Sequence, residues 1–149
     1  MARNGFSHTP TAEIALSAAT AKTVIQLIAP SGVILAVNGA WVSFDGTSNT
    51  AEPVLVEILR QTTAGTVTAR NPLKTKDTST ALGATGGVNA SAEPTAGDVL
   101  KTFHLHPQAG VIIPLDFDKE IEVPGGGRLG LRITAPAAVN CLAGFEGEE

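Results

Sequence analysis

Short apolar runs rich in Val, Ile and Leu, each stopped by Gly, Pro, Asp or Ser, make up most of the chain. Almost nothing repeats with the period of 3.6 that would give a helix one buried face. The pattern predicts strands at Glu13–Leu16, Thr23–Ile28, Val33–Phe44, Val54–Gln61, Thr66–Arg70, Val99–His106, Val111–Phe117, Glu120–Val123, Arg128–Thr134 and Val139–Phe145, of which about eight are expected to be true strands. Between them lie Ala29-Pro-Ser-Gly32, Asp45-Gly-Thr-Ser48, Pro107-Gln-Ala-Gly110 and Pro124-Gly-Gly-Gly127, residues that reverse a chain. The expected fold is all-β, an antiparallel β-sandwich of jelly-roll type.

Successive strand residues point to opposite faces, so Leu129, Leu131 and Ile133 are assigned to the core and Gly130, Arg132 and Thr134 to the other face. Val111, Ile113, Leu115 and Phe117 are set against Pro114, Asp116 and Asp118 in the same way. In Val54-Leu-Val-Glu-Ile-Leu59 only the Glu is polar, which predicts a strand covered on both faces, by its own chain or by a neighbouring subunit. The 149 residues make one domain, read here as a sandwich over 13–149 with an N-terminal arm at 1–12. The stretch 70–97, rich in Thr, Ala and Gly, is read as a long excursion, and a connection of that length tends to carry a contact surface or to be mobile.

Composition changes this picture in one respect. Only 16% of the residues are charged, where an ordinary domain has about 25%. The thin charge coverage favours a surface that meets other protein. With no Tyr, one Trp and a net charge of −4, the chain lacks the basic, aromatic footprint that holds nucleic acid. No apolar run approaches the roughly 18 residues of a membrane helix, and Met1–Pro10 has no apolar stretch to make a secretory signal. The single Cys141 cannot form an internal disulfide, which suits assembly in a reducing cytoplasm. Asn89-Ala-Ser91 is therefore read as a chance glycosylation sequon.

Candidate chemistry is sparse. His104-Leu-His106 would place two imidazoles on one face of a strand, as in the first motif of the cupins, but neither a Glu nor a later His supplies a third ligand. Asp116, Asp118, Glu120 and Glu122 would stack four carboxylates on one face of a continuous strand and invite calcium. A chain reversal at Asp118-Lys119, with Arg128 or Arg132 across a hairpin from Glu120 or Glu122, is the favoured reading. Gly125-Gly-Gly127-Arg-Leu-Gly130 has the GxGxxG spacing of a dinucleotide loop, yet an alternating segment ending in a Pro follows it, so a Gly-rich hairpin is expected. Cys141 is expected to be a buried structural thiol, and no GxSxG elbow occurs. No catalytic residue and no cofactor are expected.

The stretches Ala12–Pro30, Phe44-Asp-Gly-Thr-Ser-Asn-Thr-Ala-Glu-Pro53 and Val123-Pro-Gly-Gly-Gly-Arg-Leu-Gly-Leu-Arg-Ile-Thr-Ala-Pro-Ala-Ala-Val-Asn140 resemble small virion proteins of tailed bacteriophages, in particular the jelly-roll head decoration, or cement, proteins. The resemblance implies a homotrimer seated on the outside of the capsid, clamping major capsid protein subunits, after assembly in the host cytoplasm. The parts expected to reach the shell or a sister subunit are the arm, with Arg3, Asn4, Phe6 and His8, and the excursion, with Arg70, Lys74 and Lys76. The alternative is a jelly-roll module of a tail, fibre or spike that binds host glycan, for which Trp41 is the only Trp available as a sugar platform.

Overall fold

The computed structural model describes residues 4–76 and 79–149. Among them are thirteen strands and no helix: β1 (Gly5–His8), β2 (Ile14–Leu16), β3 (Ala21–Ile28), β4 (Leu35–Phe44), β5 (Val54–Gln61), β6 (Thr66–Ala69), β7 (Leu73–Lys74), β8 (Thr85–Ala92), β9 (Ala96–Leu105), β10 (Gly110–Pro114), β11 (Ile121–Val123), β12 (Arg128–Thr134) and β13 (Val139–Glu148). They form two antiparallel sheets packed face to face as a β-sandwich.

The first sheet runs β10-β4-β13-β1-β7. β1 and β2 occupy successive stretches of one edge of β13, while β10 and β11 occupy successive stretches of the free edge of β4. The second sheet runs β6-β8-β3-β12-β5-β9. Its outer members are the two halves of one long ribbon. The pairing continues from Val54↔Leu105 to Gln61↔Ala96, through the bond from Thr62 N to Thr95 O (3.0 Å), and on to Thr66↔Ala92 and Ala69↔Gly87. Joining β1 with β2, β5 with β6, β8 with β9 and β10 with β11 leaves eight lines of strand and the two-residue β7.

The ribbon bends so that one half flanks β12 and the other flanks β3. Where it bends it covers outward-facing residues with a hydrogen-bonded layer. Gln26 Nε2 donates to Gln61 Oε1 (2.7 Å), Gln61 Nε2 to Thr23 Oγ1 (2.9 Å), and Thr23 donates from both its N and its hydroxyl to the Glu93 carboxylate. Gln61 lies against Gly130, where any Cβ would collide with its amide. Leu59, on this outer side, is fully buried. At Leu59 the second cover expected over Val54–Leu59 is therefore supplied by the chain itself, while Leu55 stays half-buried.

Alternation places the core where expected: Leu129, Leu131 and Ile133 are buried, with Val56, Ile58, Leu27 and Ile25 from the neighbouring strands. From the facing sheet come Phe6, Leu35, Val37, Ala143 and Phe145. On the outer face of β12, Arg132 Nε pairs with Glu57 Oε2 at 2.8 Å.

Three expectations are corrected. The N-terminal segment read as an arm is β1 from Gly5 to His8, held between β13 and β7, because Phe6 and His8 have an apolar interior to enter. The excursion divides: its first part carries the short β7, but Thr85–Ala92 is a strand beside β3. Gly125–Gly127 joins β11 in one sheet to β12 in the other, so it is a crossing turn and not a hairpin. Gly126 there has φ +77°, which suits glycine.

Candidate functional site

The two open sides of a sandwich are where strand edges and core residues meet solvent, and here they differ. On one side, residues 70–76 and 79–84 bridge the sheets. Arg70 N donates to Gly86 O (3.1 Å), Arg70 Nε to Thr9 O (3.1 Å) and Thr75 N to Gly5 O (2.9 Å), while Gly83 N and Ala84 N donate to the Glu149 carboxylate. That side is closed.

The residues expected to reach a shell lie here, and most are engaged with their own chain. Asn4 exchanges backbone bonds with Glu149, and Phe6 and His8 are buried. Lys74 Nζ donates to Thr80, and Lys76 pairs with Glu148 at 3.2 Å. Arg3 lies outside the described residues.

The opposite side is open. β9 forms the edge of one sheet and β10 with β11 the edge of the other, joined by the turn at 106–109. Of the seven large apolar side chains exposed among the described residues, four belong to these edge strands and the insertion after β10: Val99, Leu100, Ile112 (79% exposed) and Phe117 (79% exposed). Local sequence explains the gathering. Val111 and Ile113 face the core, so the intervening Ile112 must face out, and the adjacent pair Val99-Leu100 cannot both face in.

Phe117, assigned by alternation to the face of Val111 and Ile113, is instead displayed by an insertion, because β10 ends at Pro114. Pro114 pairs with Gly39 and Ile121 with Val37, so Leu115–Glu120 loops out from a nearly continuous edge. Leu115 anchors it, buried and donating its N–H to Asn38 O (2.9 Å). Asp118, at φ 71°, and the bond from Lys119 N to Asp116 O (2.8 Å) turn its tip.

The insertion also divides the acids, since β10 has ended before Asp116 and β11 begins after Glu120. Neither expected arginine faces them. Arg132 holds Glu57, and Arg128 Nη1 lies 3.5 Å from Thr62 O. β11 pairs with β4 rather than β12, so Arg60 is the cation that arrives, its Nη1 donating to Glu122 O at 2.9 Å. Together Arg60, Leu100, Asp118, Glu120, Ile121 and Glu122 line an open groove between the sheets.

The outer face of the first sheet continues the apolar edge inward. Ile112 pairs with Trp41, which pairs with Gly144, and the indole lies over that glycine, where a Cβ would collide with it. Leu142, in the next outward position of β13, is partly exposed. Trp41 is thus half-buried on the outer face of the sheet.

Metal and nucleophile chemistry find little geometry. His104 is exposed on β9, whereas His106 lies beyond the strand end, with its Nδ1 accepting from Gln108 N (3.2 Å). Among the described residues no three His, Cys, Asp or Glu side chains are placed to hold one ion. Asn89 is exposed on β8 with its Oδ1 accepting from Lys22 Nζ (2.9 Å). Burial pushes the Cys141 thiol up to about 12. Native protein at pH 8 is expected to leave Cys141 unmodified by a thiol-specific disulfide reagent, and unfolded protein to react within minutes; a native reaction at the unfolded rate would refute the burial.

Sequence reasoning missed the open side because it sought chemistry-bearing residues. The available signal was the out-of-phase Ile112 in Val111-Ile-Ile113. Comparison of the chain with protein-family models, with curated proteins and with solved structures finds no match.

Proposed function

We propose that the chain is a structural virion protein, a capsid decoration protein that binds the outside of a phage head as a homotrimer and stabilises the expanded shell. One observation carries the reading. Most of the large apolar side chains exposed among the described residues belong to one pair of sheet edges, β9 and β10 with its following insertion, while hydrogen bonds of the chain itself bridge the sheets at the other pair. Free edges carrying apolar side chains are sites of association unless they are covered, and a sister subunit is the cover this reading assigns to β9 and β10. The low charge supports it, as does the order of the eight strand lines, β1/β2-β13-β4-β10/β11 facing β3-β12-β5-β9, which fits a jelly roll.

The physical role would be thermodynamic. A protein that binds only the expanded lattice favours that lattice by mass action, and three linked subunits add avidity to weak contacts. Purified protein mixed with expanded empty heads is expected to sediment with the shells and to raise their disruption temperature. Absence from the pellet at saturating concentration would overturn the decoration role, and a monomer by light scattering at micromolar concentration would overturn the trimer.

A further inference from the structure

Near the closed side of the sandwich, His8 occupies an unusual position. Its side chain is fully buried, and among the described residues neither ring nitrogen has a hydrogen-bond partner. The ring presses on β8 at Gly86, where a Cβ would collide with it. On β13, the residue opposite is Phe145. The charged group acting on the ring is Arg70, whose Nε donates to Thr9 O at 3.1 Å, next to His8 along the chain. Glu146 and Glu148 of β13 lie at the alternate, outward positions, paired with Ser7 and Gly5. A protonated imidazolium here would be stripped of water and would stand beside a guanidinium, with the Arg70 backbone as the group that favours it.

β1 is also built to leave. It has four residues at the N-terminal end of the described chain, and the segment Thr11–Glu13 that joins it to β2 is exposed. Its departure would free the edge of β13 over Phe145–Glu148, take from β7 its strand partner, and leave β2, β4, β10, β11 and β13 paired. We propose that β1 is an acid-released strand, with protonation of His8 as the trigger and the edge of β13 as the surface uncovered.

The direction of the effect follows from the ring's surroundings. Burial, foremost, lowers the docked imidazole from 6.5 to about 4; the Arg70 backbone opposes it, and the Arg70 charge adds a smaller lowering. A released strand takes up its proton near the ordinary value. Docking is therefore undiminished above about pH 6.5 and weakens as pH falls toward 4.

Amide hydrogen exchange of the full chain tests this. After correction for intrinsic rates, protection of Phe6–His8 is expected to fall about 50- to 100-fold between pH 7.5 and 4.5, while Leu129–Ile133 of β12 change less than tenfold. His8→Gln is expected to flatten the response of β1, and His104→Gln with His106→Gln to leave it intact. Unchanged protection of β1, a parallel fall in β12, or the same pH response in His8→Gln would each overturn the proposal. Should His8→Gln fail to fold, nuclear magnetic resonance titration of the His8 ring in the chain lacking His104 and His106 decides it. A ring that titrates near 6.5 while β1 stays protected rules the trigger out, and one that stays neutral until β1 exchanges supports it.

Discussion

Replacing Ile112 and Phe117 together by lysine is expected to leave the fold intact and to weaken self-association by at least about 100-fold, since apolar residues at the centre of an interface contribute about 2 kcal/mol or more each. Both side chains are 79% exposed in the isolated chain, so little core contact is lost. Both sit on the open side, at the edge strand β10 and the insertion that follows it. Lysine at an edge is the device by which sheets discourage pairing. Light scattering and shell sedimentation measure the loss, and unfolding by urea confirms that stability is kept. Leu73→Lys, on the closed side, is the control and is expected to change association little. If the double variant associates and pellets as the parent does, the open side is not the contact surface.

A second phenylalanine gives the opposite result. Phe145→Ala is expected to destabilise the fold by about 3–5 kcal/mol, a large share of the roughly 5–15 kcal/mol that holds a domain together. Phe145 is fully buried on β13, opposite His8 on one edge and Ala40 on the other. The cavity left by its ring cannot be refilled by sliding a strand, because both neighbours are fixed by ladder bonds. The measurement is the urea midpoint at constant slope. Phe117→Ala, the same chemical change on the exposed insertion, is expected to cost less than about 0.5 kcal/mol. Similar losses at the two positions would contradict the assignment of core and surface.

The interior was legible because alternation is a local property. Leu129, Leu131 and Ile133 declare one face of β12 without reference to any partner, and every strand expected from the pattern has a counterpart in the sheets. The strands that escaped notice are informative. Thr85–Ala92 reads as loop because Gly and Ala lack the apolar signal, yet its Gly86 and Gly87 are what permit His8 and Val67 to pack against it. Gly5–His8 contains one large apolar residue, too few for a pattern, and is a strand because β13 and β7 offer it two ladders.

Residues a few positions apart were enough for the all-β class, the core face of strands such as β12 and the places where the chain turns. It took the packed sheets to show which edges stay unpaired, that Arg60 rather than Arg128 or Arg132 meets Glu122, and that His8 is buried with neither ring nitrogen hydrogen-bonded among the described residues. Those outcomes depend on strands brought together from distant parts of the chain, Gly86 against His8 and Val54 against Leu105. Periodicity says which way a side chain points, and only the packed sheets say what it points at.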